Sequence, residues 1–375
     1  MILPSPDQVD RRLRQMLATD SARTGGEADT ARLMLMLTRS CELRCAYCFV
    51  SLTESGFGEA HAGRAVSASA DAPPVGDLAP ETARRAVDLL MTYDKPRLSV
   101  QLFGGEPTRR WDLVSGILDH ALRHSGRRGR DVSIQLTTNG LALDASRLGE
   151  LGRAGVTIQL SVDGVGIGNR FRRPHHFPQS EADTRWAASF AALRAGGAAW
   201  FLNVTVPPAA ATELPHRHAD ARALGAPALQ LNYATGVPFS GEAALAYQRG
   251  LAAVLTDTLA APDLRLFNRH PGADPAPLCG DTLCDVDGTL LQIGGVFFER
   301  RFPQLRRLYT HGHLDHAERW DSYRASLGEL WRRTRAALPP EDAALFLDGM
   351  RLGAASDLIA RLVAAQKAST MTAMP

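Results

Sequence analysis

Cysteine is scarce in this chain, with five in 375 residues. That excludes a scaffold stapled by disulfides, which carries several-fold more. No apolar run approaches the roughly 20 residues a membrane span needs. Met1 leads into the charged, amphipathic stretch "ILPSPDQVDRRLRQML" and not into a secretory signal. Net charge is nearly lacking too: 42 Lys and Arg against 40 Asp and Glu leave +2. A chain so balanced has no strong pull toward nucleic acid or an acidic membrane, and the basic run "RRGR" (127–130) reads as a solvated loop. What remains is ordinary for a globular protein, 45% hydrophobic and 22% charged, and long enough for one large domain or two ordinary ones. A cytoplasmic protein is expected, and there clustered cysteines more often bind metal or do redox work than form disulfides.

Short β-rich runs alternate with helical patterns along the chain. The runs are "RLMLMLT" (32–38), "RLSVQLF" (97–103), "DVSIQLT" (131–137), "VTIQLSV" (156–162), "WFLNVTV" (200–206) and "ALQLNY" (228–233). Helical periodicity fills the gaps over 81–93, 111–122, 144–155 and 185–197, and Gly155 and Gly196 stand where C-caps belong. This alternation predicts an α/β fold with a parallel sheet and crossover helices. An open doubly wound sheet and an incomplete βα barrel both fit it. Residues 51–79, rich in Ala, Ser and Gly, are expected to form a long mobile loop.

Three of the five cysteines fall within eight positions, in "CELRCAYC". Cys41, Cys45 and Cys48 stand as C-x3-C-x2-C directly after the first predicted strand, and α/β folds put their chemistry on loops at such strand ends. A structural zinc site wants four ligands, and no second C-x2-C pair lies nearby to complete one. An iron–sulfur cube held by three thiolates instead leaves one iron free to hold a small molecule.

At this point the residues carry a resemblance. "CELRCAYCF" resembles the cluster motif of the radical S-adenosylmethionine (SAM) enzymes, with an aromatic before the last cysteine. "FGGEP" (103–107) is similar to that family's glycine-rich motif, and "TTNG" (137–140) and "SVDG" (161–164) stand where its peptide-modifying branch has counterparts. Each motif is weak alone, but four in order at successive strand ends are highly specific. The resemblance covers roughly residues 30–235 and selects a partial (β/α)6 barrel of the TIM type over the doubly wound sheet. It implies that Cys41, Cys45 and Cys48 hold one [4Fe–4S] cluster, whose fourth iron takes the amino and carboxylate groups of SAM. It implies further that one electron, from an external donor, yields a 5′-deoxyadenosyl radical that removes a hydrogen atom from substrate. Tyr47 would lie beside adenine, Gly104, Gly105 and Glu106 along the amino group, and Ser161 and Asp163 near the carboxylate or ribose. Asn139 joins this cofactor-binding set from "TTNG". Arg172, in "NRFRR" (169–173), aligns with the arginine of a His-Asp-x-x-Arg pattern whose His and Asp are missing here.

Two further motifs fail on context. "DVDGTLL" (285–291) reads like the nucleophile motif of haloacid dehalogenase-type phosphatases, but that motif wants an apolar strand before its first aspartate, where this chain has "CGDTLC", and a Rossmann-like domain after it, where 84 residues remain. "THGHLDH" (310–316) resembles a metallo-β-lactamase metal site, but His316 is the last histidine in the chain. The radical SAM resemblance absorbs this region as a C-terminal extension of the SPASM or twitch type. Its opening, "CGDTLCDVDGTLLQIGG" (279–295), combines Cys-Gly with a hairpin around Asp-Gly. Such an extension expects more cysteines than Cys279 and Cys284, so a degenerate one without a second cluster is expected. These two thiols are either small core hydrophobes or, by the resemblance, catalytic groups that donate a hydrogen atom to a substrate radical. His175 and His176 read as loop surface.

The domain organisation expected is an N-terminal helical segment (1–30), the barrel core (31–235) and C-terminal helices with the degenerate extension (236–375). The function implied is C–H activation on a ribosomally made peptide, by crosslinking, epimerisation or excision. The alternative is a radical dehydrogenase or epimerase acting on a small molecule such as an aminoglycoside-type sugar. Neither nucleic acid nor membrane is expected as a partner.

Overall fold

A computed structural model of the chain describes residues 3–18, 30–50, 74–93, 97–128, 131–260, 263–269, 278, 281–299, 302–318 and 326–372. Most of the loop expected over 51–79, namely 51–73, lies outside the described residues, as does Cys279.

The strands run β1 (Thr30–Met36), β2 (Leu43–Cys45), β3 (Arg97–Phe103), β4 (Asp131–Thr138), β5 (Thr157–Ser161), β6 (Arg172–Pro174), β7 (Ala199–Val206), β8 (Ala228–Tyr233), β9 (Arg265–Leu266), β10 (Thr282–Cys284), β11 (Thr289–Gln292) and β12 (Thr310–His313). The helices are α1 (Pro6–Ala18), α2 (Pro80–Met91), α3 (Trp111–Arg128), α4 (Ala145–Arg153), α5 (Gln179–Arg194), α6 (Leu214–Ala223), α7 (Gly241–Ala260), α8 (Gly294–Phe298), α9 (Gln304–Tyr309), α10 (Leu327–Ala337) and α11 (Pro340–Thr372). All six expected β-runs are strands. They lie side by side in the order β1-β3-β4-β5-β7-β8, and every neighbouring pair is parallel. This mostly parallel sheet, six strands in chain order with helices between them, is the arrangement expected of a partial βα barrel. It continues at one edge into β9 and at the other into β10, which runs parallel to β1 and turns back as the antiparallel hairpin β10–β11.

Alternation along each strand decides the two faces. Leu33 and Leu35 of β1, Leu98, Val100 and Leu102 of β3, Ile134 and Leu136 of β4, and Ile158 and Leu160 of β5 are buried in one core with Val87 and Leu90 of α2 and Val114 and Ile117 of α3. The intervening residues face the concave side and are polar. There Gln101 Nε2 donates to Thr137 Oγ1 at 2.9 Å, Gln135 Nε2 to Gln159 Oε1 at 2.5 Å, and Asn232 Nδ2 to Asn203 Oδ1 at 2.5 Å. At the β1 edge the concave side turns apolar, because Met34 and Met36 pack on Leu283, Leu291 and Val296 of the hairpin and α8.

The segments on either side of residues 31–235 share a core of their own. Val9, Leu13 and Met16 of α1 are buried with Leu330 of α10 and Phe346 and Met350 of α11. The rings of Phe298 and Phe346 stack at 3.6 Å. Arg12 Nε meets Asp357 Oδ2 at 2.7 Å, so the two ends of the described chain are tied together. No described helix is long and apolar enough to cross a membrane.

Candidate cofactor site

The segment leaving β1 is held by backbone contact with the loop leaving β3. Leu37 N donates to Phe103 O at 2.9 Å, Gly105 N to Thr38 O at 2.8 Å, and Glu106 N to Ser40 O at 3.0 Å. A Cβ on Gly104 would stand 2.4 Å from Thr38 O, and one on Gly105 2.4 Å from Ser40 O. The two glycines thus let one loop lie flat on the other. Beyond them β2 pairs antiparallel with β6, setting Cys45 opposite Arg172.

Cys41, Cys45 and Cys48 are half-buried on this segment, and none is in a disulfide. Nitrogen donors surround them: Leu43 N lies 3.3 Å and Asn139 Nδ2 3.9 Å from Cys41 Sγ, and Arg172 Nη1 lies 3.8 Å from Cys45 Sγ. Burial pushes the Cys41 thiol well up, and pushes Cys45 up to about 12 against the pull of Arg172. N–H donors aimed at sulfur suit thiolates that carry a metal, and such bonds are a protein's means of tuning a cluster's potential. Among the described residues no three His, Cys, Asp or Glu converge to hold a single ion. Three cysteines on one segment, with N–H donors turned toward two of the sulfurs, fit an iron–sulfur cube, which takes its protein ligands as thiolates.

Glu106 is fully buried, and four protein donors converge on its carboxylate. Thr108 N (2.9 Å), Thr108 Oγ1 (2.6 Å) and Thr138 Oγ1 (2.7 Å) donate to Oε1, and Asn139 N (2.7 Å) donates to Oε2. Three of these donors crowd Oε1 and one reaches Oε2, so a lone pair of Oε2 alone stays open. The side chain expected to line a cofactor amino group is thus mostly engaged by the protein. Its carboxylate staples the end of β3 to the end of β4. Replacing Glu106 with Gln would turn an NH2 toward at least one of those N–H or O–H donors, leaving it buried and unpaired. The expected loss is about 1–3 kcal/mol, read as a lower urea midpoint for the variant; an unchanged midpoint would rule out the staple.

Asn139 is similarly engaged. Its Nδ2 donates to Glu42 Oε1 at 3.2 Å, its Oδ1 accepts from Leu141 N at 2.9 Å, and its carbonyl accepts from Trp186 Nε1 at 2.8 Å. A second buried group forms around Asp163. Tyr47 Oη donates to its Oδ2, Thr205 N donates to Oδ1 at 3.0 Å, and Arg172 Nε lies 3.1 Å from Oδ1. The Arg172 guanidinium also sits 5.5 Å over the Tyr47 ring. Burial works against the Arg172 charge, but Asp163, Tyr47 and Cys45 together outweigh it and hold the guanidinium above its ordinary range. Tyr47, Asp163 and Arg172 thus form one packed unit behind Cys45. Ser161, at the end of β5, is half-buried on the concave side.

Cys284 is not brought to this group. In β10 Leu283 belongs to the concave cluster, and alternation turns the next residue the other way. Cys284 lies fully buried in the main core, its Sγ donating to Asp285 O at 3.7 Å and burial pushing its thiol up to about 12. The expectation of a catalytic thiol there is corrected to a core residue. His175 and His176 stack on each other at 3.8 Å, with Arg44 contacting His175. Sequence reasoning missed Arg39, Asp285, Glu299 and Arg306, which meet in the core beside the segment that bears the cysteines. It also missed Asn169, whose Oδ1 accepts from Asp163 N at 3.0 Å.

Residues 35–207 match the family model of the radical SAM superfamily. The barrel portion of the chain is thereby similar to the enzymes of the radical SAM class. This class works with a [4Fe–4S] cluster and SAM. An uncharacterized protein of Methanocaldococcus jannaschii is 22% identical over 152 residues, 40% of this chain and 45% of that protein. The radical SAM cyclopropyl synthase TigE of Paramaledivibacter caminithermalis is 27% identical over 144 residues, 37% of this chain and 28% of TigE. The match thus spans less than half the length of either curated relative. Among solved structures, anSMEcpe with bound AdoMet superposes with a TM-score of 0.61 at 12% identity, over 90% of this chain and 99% of that one. Streptococcus suis SuiB bound to its precursor peptide SuiA gives 0.51 at 11% identity, over 83% of this chain and 67% of SuiB. At such identities the likeness is one of fold.

Proposed function

We propose that the chain is a radical SAM enzyme that modifies a peptide, with Cys41, Cys45 and Cys48 holding its single cluster and SAM lying between that loop and the concave face of the sheet. The observation that carries the reading is the loop itself. Three thiols stand on the segment leaving β1, faced by nitrogen donors from Asn139 and Arg172, where the strands open onto a polar concave side. When bound, the cluster and SAM supply a 5′-deoxyadenosyl radical able to remove a hydrogen atom from carbon.

The chain's own residues do the holding. Gly104 and Gly105 keep the cysteine segment close to the β3 loop, leaving backbone, more than the mostly engaged Glu106 carboxylate, to meet the SAM amino group. Ser161 offers its hydroxyl from the end of β5, and Asp163 and Arg172 fix Tyr47 as the wall beside Cys45. Glutamine and asparagine side chains on the concave face can exchange hydrogen bonds with a neutral polypeptide backbone. Two structural neighbours have been solved with peptides bound, anSMEcpe with the Kp18Cys peptide and SuiB with SuiA.

Residues 236–375 we read as a SPASM or twitch-like extension without a second cluster, since Cys279 and Cys284 are its only cysteines. With no auxiliary electron acceptor, redox-neutral outcomes such as epimerisation are favoured. The electron donor is external and the setting cytoplasmic. The test is anaerobic reconstitution followed by dithionite, SAM and a deuterated peptide encoded beside the gene. Deuterium should appear in 5′-deoxyadenosine. SAM cleavage with no transfer from the peptide would overturn the substrate, and a full cluster without any cleavage would overturn the site.

A further inference from the structure

Four charged side chains meet in the dry core where the C-terminal hairpin joins the barrel. Arg39 Nε donates to Asp285 Oδ1 at 3.1 Å and its Nη2 to Oδ2 at 2.5 Å, a two-pronged pairing. The same guanidinium reaches Glu299 through Nη1 and, at 3.3 Å, through Nη2. Arg306 Nη1 donates to Asp285 Oδ2 at 2.5 Å and to Glu299 Oε2 at 3.0 Å. Side-chain exposures are 1% for Arg39, 0% for Asp285 and Glu299, and 9% for Arg306. Two cations thus face two buried anions, and Arg306 Nη2 lies 3.5 Å from a third carboxylate, the exposed Asp287. Burial opposes the charge on Asp285, but the two arginines overcome it and hold its carboxyl below the usual range.

The network's place in the chain is what gives it meaning. Arg39 stands two residues before Cys41, while Asp285 follows β10, 246 residues away. The Arg39 backbone is pinned as well: its N donates to Gly76 O at 3.1 Å, and a Cβ on Gly105 would lie 3.0 Å from its carbonyl carbon. A buried ion-pair network is a poor stabiliser, since well-packed apolar residues of similar volume often do as well or better. What such a network does supply is a fixed geometry, and a planar guanidinium bridging two points fixes it in two directions.

We infer that Arg39 is a positioning residue: paired with Asp285, it locks the segment that presents Cys41 onto the C-terminal hairpin, so that the extension sets the geometry of the cluster loop. Glu299 and Arg306 balance the charge of that pair. The inference rests on Cys41 being a cluster ligand, as proposed above.

Two charge-balanced double variants separate positioning from simple stability. Arg39→Met with Glu299→Gln removes one cation and one anion and cuts the tie to the loop. Arg306→Met with Glu299→Gln removes the same charges but leaves Arg39 on Asp285. Hydrogen exchange on the apoprotein reads the lock without any cluster. Protection over residues 37–48 should fall about tenfold in the first variant and stay at the wild-type level in the second. After reconstitution the first variant should still hold iron, but the SAM-induced change in the electron paramagnetic resonance spectrum of its reduced cluster should be lost. Its SAM cleavage should drop by about a hundredfold. The second variant should match wild type in both. Equal exchange in the two variants, or failure of both to fold, overturns the inference. A wild-type protein that takes up no cluster, with the exchange difference intact, would instead overturn the cluster assignment and leave the lock standing.

Discussion

Replacing Cys41, Cys45 and Cys48 together by alanine is expected to take the reconstituted protein from about four irons per chain to none, and to abolish SAM cleavage. The fold should survive the change. All three side chains are only half-buried on the segment beyond β1, where Cys41 and Cys45 pack on the edge of a core built from strand leucines and valines and Cys48 on the Met34 and Met36 cluster. The circular dichroism spectrum should therefore stay at the wild-type level while the iron and its visible absorption vanish. The same measurement decides whether the extension carries metal. About four irons left in the triple variant would mean an auxiliary cluster, with Cys279 and Cys284 among its ligands. Cys284 is poorly disposed for that, fully buried in β10 with its sulfur turned into the core. Loss of all iron would match the structure, and retention would overturn both the ligand set and the reading of the extension.

Much of the barrel could be read from residue order because its signals are local. "RLSVQLF" is β3 (Arg97–Phe103) to the residue, since alternation between Leu98, Val100, Leu102 and their polar neighbours marks a strand with one face on helices. Gly155 and Gly196 do sit in the left-handed region, at φ of 66° and 98°, just past α4 and α5. The start of α5 was less visible. The expected helix begins at 185, but the chain turns helical at Gln179, after Pro178, through polar residues that carry no apolar stripe.

At the candidate site, motif spacing marked which residues gather but not what each one touches. Glu106 and Asp163 carry the letters of ligand contacts, yet their carboxylates are mostly occupied by protein donors, and only the folded chain shows which acceptors remain free. Arg39 had no local signal at all, because its partners come from 246 and 260 residues further on. Asp285 was visible as part of "DVDGTLL", but its burial against two arginines was not. The inward turn of Cys284, by contrast, was within reach of period-two reasoning once Leu283 was given the concave face.

Gly105→Ala is the smallest substitution expected to dismantle the cofactor loop. Gly105 is not among the glycines at positive φ, so an alanine meets no dihedral strain there and any effect is steric. Its Cβ would lie 2.4 Å from Ser40 O, 2.7 Å from Ser40 C and 3.0 Å from Arg39 C. All three are backbone atoms, so no side chain can swing aside. That backbone is fixed in turn, by Gly105 N on Thr38 O and Glu106 N on Ser40 O. Relief requires the two loops to part, which breaks those bonds and carries Cys41 with them. The expected cost is about 1–3 kcal/mol or more, the range for overpacking a site that cannot relax. It should appear first as a lower melting temperature of the apoprotein and then as a severe loss of bound iron. Gly116→Ala supplies the contrast: inside α3 its Cβ would meet nothing within 4 Å, and alanine there should add up to about 1 kcal/mol through helix propensity. If Gly105→Ala melts with the wild type and fills with iron as readily, the two loops are not rigidly packed, and the glycines owe their place to the cofactor alone.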